Sequence, residues 1–341
     1  RQRAGGAARG GAGGGGAGGG LAPTAALAAS IDGSMDPPPN ARIVSWSDFP
    51  ALHFLGEGEF ASAHSTTLDG EPVAVKVIKE SKRGSEHAVR GLKREMMLLS
   101  LMRHPGIMHA LALGQHDNLP FMVMPQLAAV LAALLPRSAD AVPFWVRSRE
   151  VKAWPLSRAL DYGVQLAAAL AYCHDAAFPG YRVLHRDLKP KNIGVDAHGR
   201  LVLFDFGLAS IWKVGHATED PCELRRLTGE TGSLRYMAPE VARTQPYNHK
   251  AEVFSFASVL FEMCAHEKPF ASFGADAFVK ALANGVRPPV RAAWPPPLQA
   301  LFARCWEARP ADRPDFALVG PQLAEILRDG ATIAAPSKSA P

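Results

Sequence analysis

The chain has 341 residues, 48% hydrophobic and 20% charged, an ordinary globular composition long enough for one large core or two modest ones. Its net charge is +5, but Arg1, Arg3 and Arg9 lie in an acid-free stretch over residues 1–31; without those three cations the body stands near +2 and carries no signature of a nucleic-acid or membrane surface. The longest apolar run, Leu127–Leu135, is far too short for a bilayer span, and Cys173, Cys222, Cys264 and Cys305 lie 41 or more residues apart, which excludes a zinc module or disulfide scaffold and points to a reducing compartment.

Eleven of the 31 glycines fall within residues 1–20. So little side chain cannot offset the entropy of ordering, so residues 1 to about 45 are expected to be disordered. An organelle transit peptide is the alternative reading of the arginines there, although serine is scarce and the chain starts at Arg1, as a truncated sequence would. From Phe54 to Met124 the pattern is that of strands, with one amphipathic helix around Glu86–Met102. Gly56-Glu57-Gly58 begins this part, and two glycines in a hairpin let main-chain N–H groups approach an anion without a Cβ in the way, though an ordinary turn reads the same.

In Val73-Ala74-Val75-Lys76-Val77-Ile78, strand alternation sets Val73, Val75 and Val77 on one face and Ala74 with Lys76 on the other. A lysine among such neighbours needs a negative partner; alternatively it is an edge-strand lysine that blocks aggregation. Glu95 shares a helix face with Leu92 and Leu99, so it points inward and is the expected partner. The two halves should join near Pro125, followed by an exposed insertion over Pro136–Trp154. After Pro155, Leu156, Leu160, Val164, Ala167 and Ala171 recur with helical spacing, and Val253–Cys264 is apolar nearly all round, as a helix inside a core is. Between them stand His185-Arg186-Asp187-Leu188-Lys189-Pro190-Lys191-Asn192 and, after the strand Leu201–Phe204, Asp205-Phe206-Gly207. Residues 330–341 read as a loose tail.

With these landmarks in order, followed by Ala238-Pro239-Glu240 and by Arg313 after Cys305-Trp306, the sequence resembles the eukaryotic protein kinases over residues 49–327. GSLRYMAPE, EVFSFASVLFEM and CWEARPADRPDF are most similar to the tyrosine-kinase-like group, including Raf-like kinases of plants and algae. The resemblance implies an α+β bilobal fold: a small β-rich lobe over residues 49–124, a hinge at 125–127 and a helical lobe over 128–327. It implies ATP and Mg²⁺ as cofactors, a protein Ser/Thr substrate, an upstream kinase, no nucleic acid and a cytoplasmic location. Lys76 would hold the α- and β-phosphates while paired to Glu95, Asn192 and Asp205 would bind Mg²⁺, Asp187 would receive the acceptor proton, and Lys189 would neutralise the transferring group. Gly56, Glu57, Gly58, Ala63, Ala74, Met124, Pro125, Leu127 and Gly194 would enclose the nucleotide, with Met124 as gatekeeper. Arg186 suggests control by phosphorylation of Thr228, Thr231 or Thr218, and Glu240 would pair with Arg313.

The sequence departs from the family pattern at Ala61, Ala63, Gly194, Ser233 and Glu252. Ala63 and Gly194 stand where larger apolar residues cover adenine from above and below, so weak ATP binding is expected, by about 3 kcal/mol of lost apolar contact unless another group fills the space, for which bulky Met124 and Phe204 are the candidates. Ser233 keeps a hydroxyl for Asp187 and Lys189, and Glu252 replaces the aspartate that braces the catalytic loop. Retention of Lys76, Asp187, Asn192 and Asp205 favours an active kinase over a pseudokinase scaffold, and Ala238-Pro239-Glu240 favours a peptide substrate over a small molecule.

Overall fold

Two-residue turns shape the first half of the chain. Asp69 and Gly70 both have positive φ (54° and 83°), as do Asp117 and Asn118 (50° and 62°), and such turns match the twist of the strands they connect. The computed structural model describes residues 38, 40–214, 224 and 233–334. Strands β1 (His53–Glu57), β2 (Ala61–Leu68), β3 (Glu71–Ile78), β4 (Ala112–His116) and β5 (Leu119–Pro125) form a five-stranded antiparallel sheet in the order β1-β2-β3-β5-β4. Val73, Val75, Phe121 and Val123 pack on the outer face of this sheet, while Ala74 and Ile78 join the main core on the inner face, as strand alternation requires.

Helix α1 (Glu86–Leu101) lies against that inner face. Ser85 caps it by accepting a hydrogen bond from Ala88 N–H at 3.2 Å, and its buried stripe is Ala88, Leu92, Glu95, Met96 and Leu99. A short helix α2 (Leu131–Leu134) follows the two-residue strand β6 (Ala129–Val130), which pairs with β8 (Ile193–Val195); β8 in turn pairs with β9 (Leu201–Leu203). Strand β7 (Tyr181–Leu184) pairs with β10 (Ser210–Lys213). The second lobe is helical: α3 (Phe144–Ala153), α4 (Leu156–Ala171), α5 (Pro239–Ala242), α6 (Lys250–Ala265), α7 (Ala275–Ala283), α8 (Pro296–Cys305) and α9 (Phe316–Ala334). Every residue of α6 except Ser255 is buried, so this helix is the central post of the lobe. The fold is bilobal and α+β. No helix among the described residues is long and apolar enough to cross a membrane.

Two expected boundaries shift. Of the tail expected to be disordered, residues 40–45 belong to the folded unit: Ile43 bridges Leu113, Val44 N–H donates to Leu113 O at 2.9 Å, and Val44 is buried with Phe121 and Val123. Burial of Val44 on the outer sheet face, the main-chain bonds to Leu113 and the packing of Trp46 and Phe49 against the same cluster together tie the segment down. The insertion over 136–154 is exposed along most of its length, as expected, but it carries a helix and is anchored at its end, where Trp154 is 2% exposed and donates its indole N–H to Met263 O at 3.1 Å. Residues 330–334 continue α9 rather than opening the tail. Residues 1–37, 39 and 335–341 of the two expected tails, and Thr218, Thr228 and Thr231, lie outside the described residues.

Candidate active site

Lys76 projects from β3 toward α1, and its ammonium donates to Glu95 Oε2 at 2.6 Å and to Asp205 Oδ1 at 2.7 Å. Alternation on β3 and the inward face of α1 make the first bond; the turn after β9 makes the second. Asp205 has a left-handed backbone (φ 67°), an uncommon conformation for a non-glycine residue and one held by its surroundings. Those surroundings include Phe206, fully buried with its ring 4.6 Å from that of His185. Burial alone would lower the Lys76 pKa, but the charges of Asp205 and Glu95 more than offset it and hold the ammonium firmly protonated. Burial pushes the Glu95 carboxyl up, whereas Lys76 holds that of Asp205 down against its own burial. One cation thus organises two carboxylates drawn from different lobes.

Asp187 sits opposite, 7% exposed and surrounded by donors. Its Oδ2 accepts from Lys189 Nζ at 2.6 Å and from Asn192 Nδ2 at 2.8 Å, and its Oδ1 accepts from Ser233 N–H at 3.0 Å. The Ser233 contact therefore runs through the main chain rather than the expected hydroxyl, so that bond does not depend on the side chain at this position. Asp187 N–H donates to His185 Nδ1, which leaves the imidazole proton on Nε2 to donate to Phe204 O at 2.9 Å. Glu252 reaches the catalytic loop as its shorter relative would: Oε1 accepts Arg186 N–H at 2.7 Å. Its second oxygen meets buried His174 at 2.6 Å, a partner the sequence reading did not identify. Burial disfavours the Glu252 carboxylate, but these two bonds keep its pKa below the usual range.

Of the residues expected to enclose a nucleotide, Gly56 lies near the end of β1 opposite Ala63, and Gly58 begins the bend to β2, closed by Gly58 N–H donating to Ala61 O at 2.8 Å. A Cβ added at Gly56 would meet nothing within 4 Å, so space at the loop is open. The Glu57 side chain is turned aside to Lys79 at 3.1 Å and offers the cleft only its main chain. Ala63 lies directly opposite Lys76, and Ala74 opposite Met124, across the sheet. Pro125 ends β5, and Leu127 follows it.

The vacancy expected at Gly194 is not there. A Cβ at that position would run into Leu127 Cδ1, with Leu127 Cγ and Cδ2 at 3.2 Å, so the hinge leucine occupies the space that the glycine leaves. This corrects half of the basis for weak ATP binding; Ala63 remains the one position with a missing apolar group. The sequence signal was available only as a pair, a small residue and a large one far apart along the chain.

Arg186 also has a left-handed backbone (φ 68°), and its Nε donates to the Tyr247 hydroxyl at 2.8 Å. Glu240 and Arg313 form the expected pair, bidentate at 2.6 and 2.9 Å. Among the described residues no cluster of three or more His, Cys, Asp or Glu side chains is arranged to hold a metal by itself.

Residues 49–321 match the family described as Protein kinase domain. The chain is 31% identical over 299 residues to Serine/threonine-protein kinase VIK of Arabidopsis thaliana, covering 85% of this chain and 64% of that protein. It is 33% identical to Serine/threonine-protein kinase 12 of the same plant, covering 76% of this chain and 52% of that one. Similarity extends to Mitogen-activated protein kinase kinase kinase 7 of Bos taurus, at 27% identity over 85% of this chain and 45% of that protein. The chain thus spans about half to two thirds of the length of these relatives.

Proposed function

The chain belongs to the eukaryotic protein kinases, in the Raf-like, tyrosine-kinase-like group, and from that membership we propose that it transfers the γ-phosphoryl group of ATP to a serine or threonine hydroxyl of a protein. The observation that carries the reading is the pair of hydrogen bonds from Lys76 to Glu95 and Asp205 beside a fully engaged Asp187. Phosphoryl transfer needs little covalent help and much positioning, so a site of this kind works by fixing charge where the reaction needs it.

The parts divide as follows. Glu95 holds Lys76 where it can reach the α- and β-phosphates, and Gly56 at the end of β1 with Gly58 in the bend leaves the main chain there open to approach by them. Asp205 and Asn192 would hold Mg²⁺: one carboxylate and one amide oxygen are the sparse protein ligands taken by a cation whose other ligands are water and phosphate. Asn192 is suited to this, because its Nδ2 is spent on Asp187 and its oxygen is the group left for a metal. When bound, Mg²⁺ would neutralise charge on the phosphate oxygens. Asp187 orients the acceptor hydroxyl and receives its proton, while Lys189, bonded to the same carboxylate, offsets charge on the group in transit. Lys189 is also the residue that favours Ser/Thr over Tyr acceptors. Phosphorylation of the segment between Asp205 and Glu240 by an upstream kinase would act through Arg186.

Incubating the purified chain with Mg-ATP and mapping phosphorylated residues by mass spectrometry tests activity and residue preference together. Phosphoserine and phosphothreonine are expected, including sites within 215–232; complete absence of incorporation into the chain or any added protein would favour a scaffold instead.

A nucleotide-binding measurement tests the packing under the adenine position. The Gly194→Leu substitution alone should displace Leu127 and weaken ATP binding rather than tighten it. Leu127→Ala alone should weaken it by about tenfold, the order expected for losing part of a buried leucine contact. The two together should recover most of the loss, because leucine then stands on β8 instead of in the hinge. Additive losses in the double variant would show that the two residues do not share one space.

A further inference from the structure

Next to Asp187 lies a groove of about 620 Å³. Its floor and walls come from the catalytic loop, the turn after Ser233, the end of α6 and the start of α7, and they include Lys189, Lys191, Arg235, Lys268 and Glu262 along with apolar Leu234 and Phe273. Four cations face one carboxylate. That carboxylate is already engaged: the Tyr236 hydroxyl donates to Glu262 Oε2 at 2.6 Å, and while burial raises the pKa of this acid, that bond and the nearby charge of Lys268 act in the opposite direction. The neighbouring acid Glu267 is turned away to Arg291 at 3.1 Å.

The cations differ in what they have left to offer. Lys189 is committed to Asp187, and Arg235 gives one guanidinium nitrogen to Phe270 O. Lys191 and Lys268 are both exposed, and neither forms a hydrogen bond or ion pair among the described residues. Two unpaired ammonium groups in a concave wall beside a proton acceptor repel an arginine-rich peptide and attract an anionic one.

We propose that this groove selects a substrate segment bearing an anionic side chain, a carboxylate or a phosphate, close to the serine or threonine that is modified. The inference rests on the reading of Asp187 as the group that receives the acceptor hydroxyl. Lys191 and Lys268 are the residues that set the preference, and Glu262 does not reverse it because it is one carboxylate against four cations in the groove.

The test uses the full chain with peptides that carry one acceptor serine in a neutral background, each flanking position replaced in turn by Glu, phosphoserine or Arg. Both kcat/KM and peptide binding without nucleotide, by fluorescence polarisation, are measured for the wild type and for Lys191→Glu combined with Lys268→Glu. At one or more positions Glu or phosphoserine should exceed Arg by about tenfold, mainly through KM and less so at high salt, since each partly exposed pair contributes up to about 1 kcal/mol. The double charge reversal should invert the order. The larger of the two anionic responses identifies carboxylate or phosphate as the natural group. Transfer that ignores charge, that prefers Arg, or that keeps its preference in the reversed variant overturns the inference and leaves the kinase reading intact. Lys191- and Lys268-dependent binding of anionic peptides with no transfer to any of them would support the groove and overturn the catalytic reading. Neither binding preference nor transfer would overturn both.

Discussion

Replacing Asp187 with asparagine should lower kcat for peptide phosphorylation by about 10²–10⁴-fold, the range over which a positioned general base contributes. ATP binding should change little, because Lys76, Glu95 and Asp205 are untouched. The site also makes the substitution costly to the fold. Every contact on the Asp187 carboxylate is a donor: Lys189 and Asn192 on one oxygen, Ser233 N–H on the other. Asparagine supplies one acceptor and one donor, so in either orientation its NH₂ group faces a donor. A buried mismatch of this kind costs about 1–3 kcal/mol. A thermal melt therefore accompanies the kinetics, and kcat must fall at temperatures where the variant remains folded. Full activity in a folded Asp187→Asn protein would remove Asp187 from the reaction.

The second large effect concerns stability. Arg313, 1% exposed, spends all five N–H donors: Nε on Glu307 O at 2.8 Å, Nη1 on Glu240 Oε1 at 2.6 Å and Lys250 O at 3.2 Å, and Nη2 on Glu240 Oε2 at 2.9 Å and Ala308 O at 3.4 Å. Its guanidinium also lies 5.3 Å from the Phe254 ring centroid. The Arg313→Met substitution strips the hydrogen-bonded basic partner from a buried Glu240 and should cost about 3–5 kcal/mol of unfolding free energy, read by urea denaturation. Arg313→Lys should recover only part of this, since an ammonium has three donors and cannot form the fork. Because an unpaired buried charge is what makes the single change costly, Arg313→Met with Glu240→Gln should be less destabilised than the sum of the two single variants. An additive double variant would mean that the pair does not act as a unit. Glu240 is in the first turn of α5, just after the segment that carries Ser233, and Arg313, which also donates to Lys250 O at the start of α6, links that segment to the central helix.

The legibility of the site followed the range of the interactions that built it. Lys76 and Glu95 could be matched in advance because strand and helix periodicities each specify a face, and the two faces belong to adjacent elements. Asp187, Lys189 and Asn192 lie within one short loop, where chemistry and sequence spacing coincide. The Glu252–His174 contact could not be read in this way. It joins α6 to the turn after α4, and nothing in either segment's own pattern requires the other. Trp154 was misjudged for a related reason: a tryptophan among Pro, Arg and Ser reads as exposed until a carbonyl of α6, Met263 O, is there to accept its indole proton.

Residue type and spacing were enough to establish the bilobal architecture, the family and the polar groups that meet in the cleft, because proton transfer and phosphate binding tolerate few alternatives at those positions. Three-dimensional packing alone decided that Leu127 occupies the space at Gly194, that Val44 helps to order the residues before the first strand, and that Lys191 and Lys268 face the groove without a hydrogen-bonded partner among the described residues. Steric volume and net charge are properties of a shared space, which segments distant in the chain fill together, so no single segment records how it is filled.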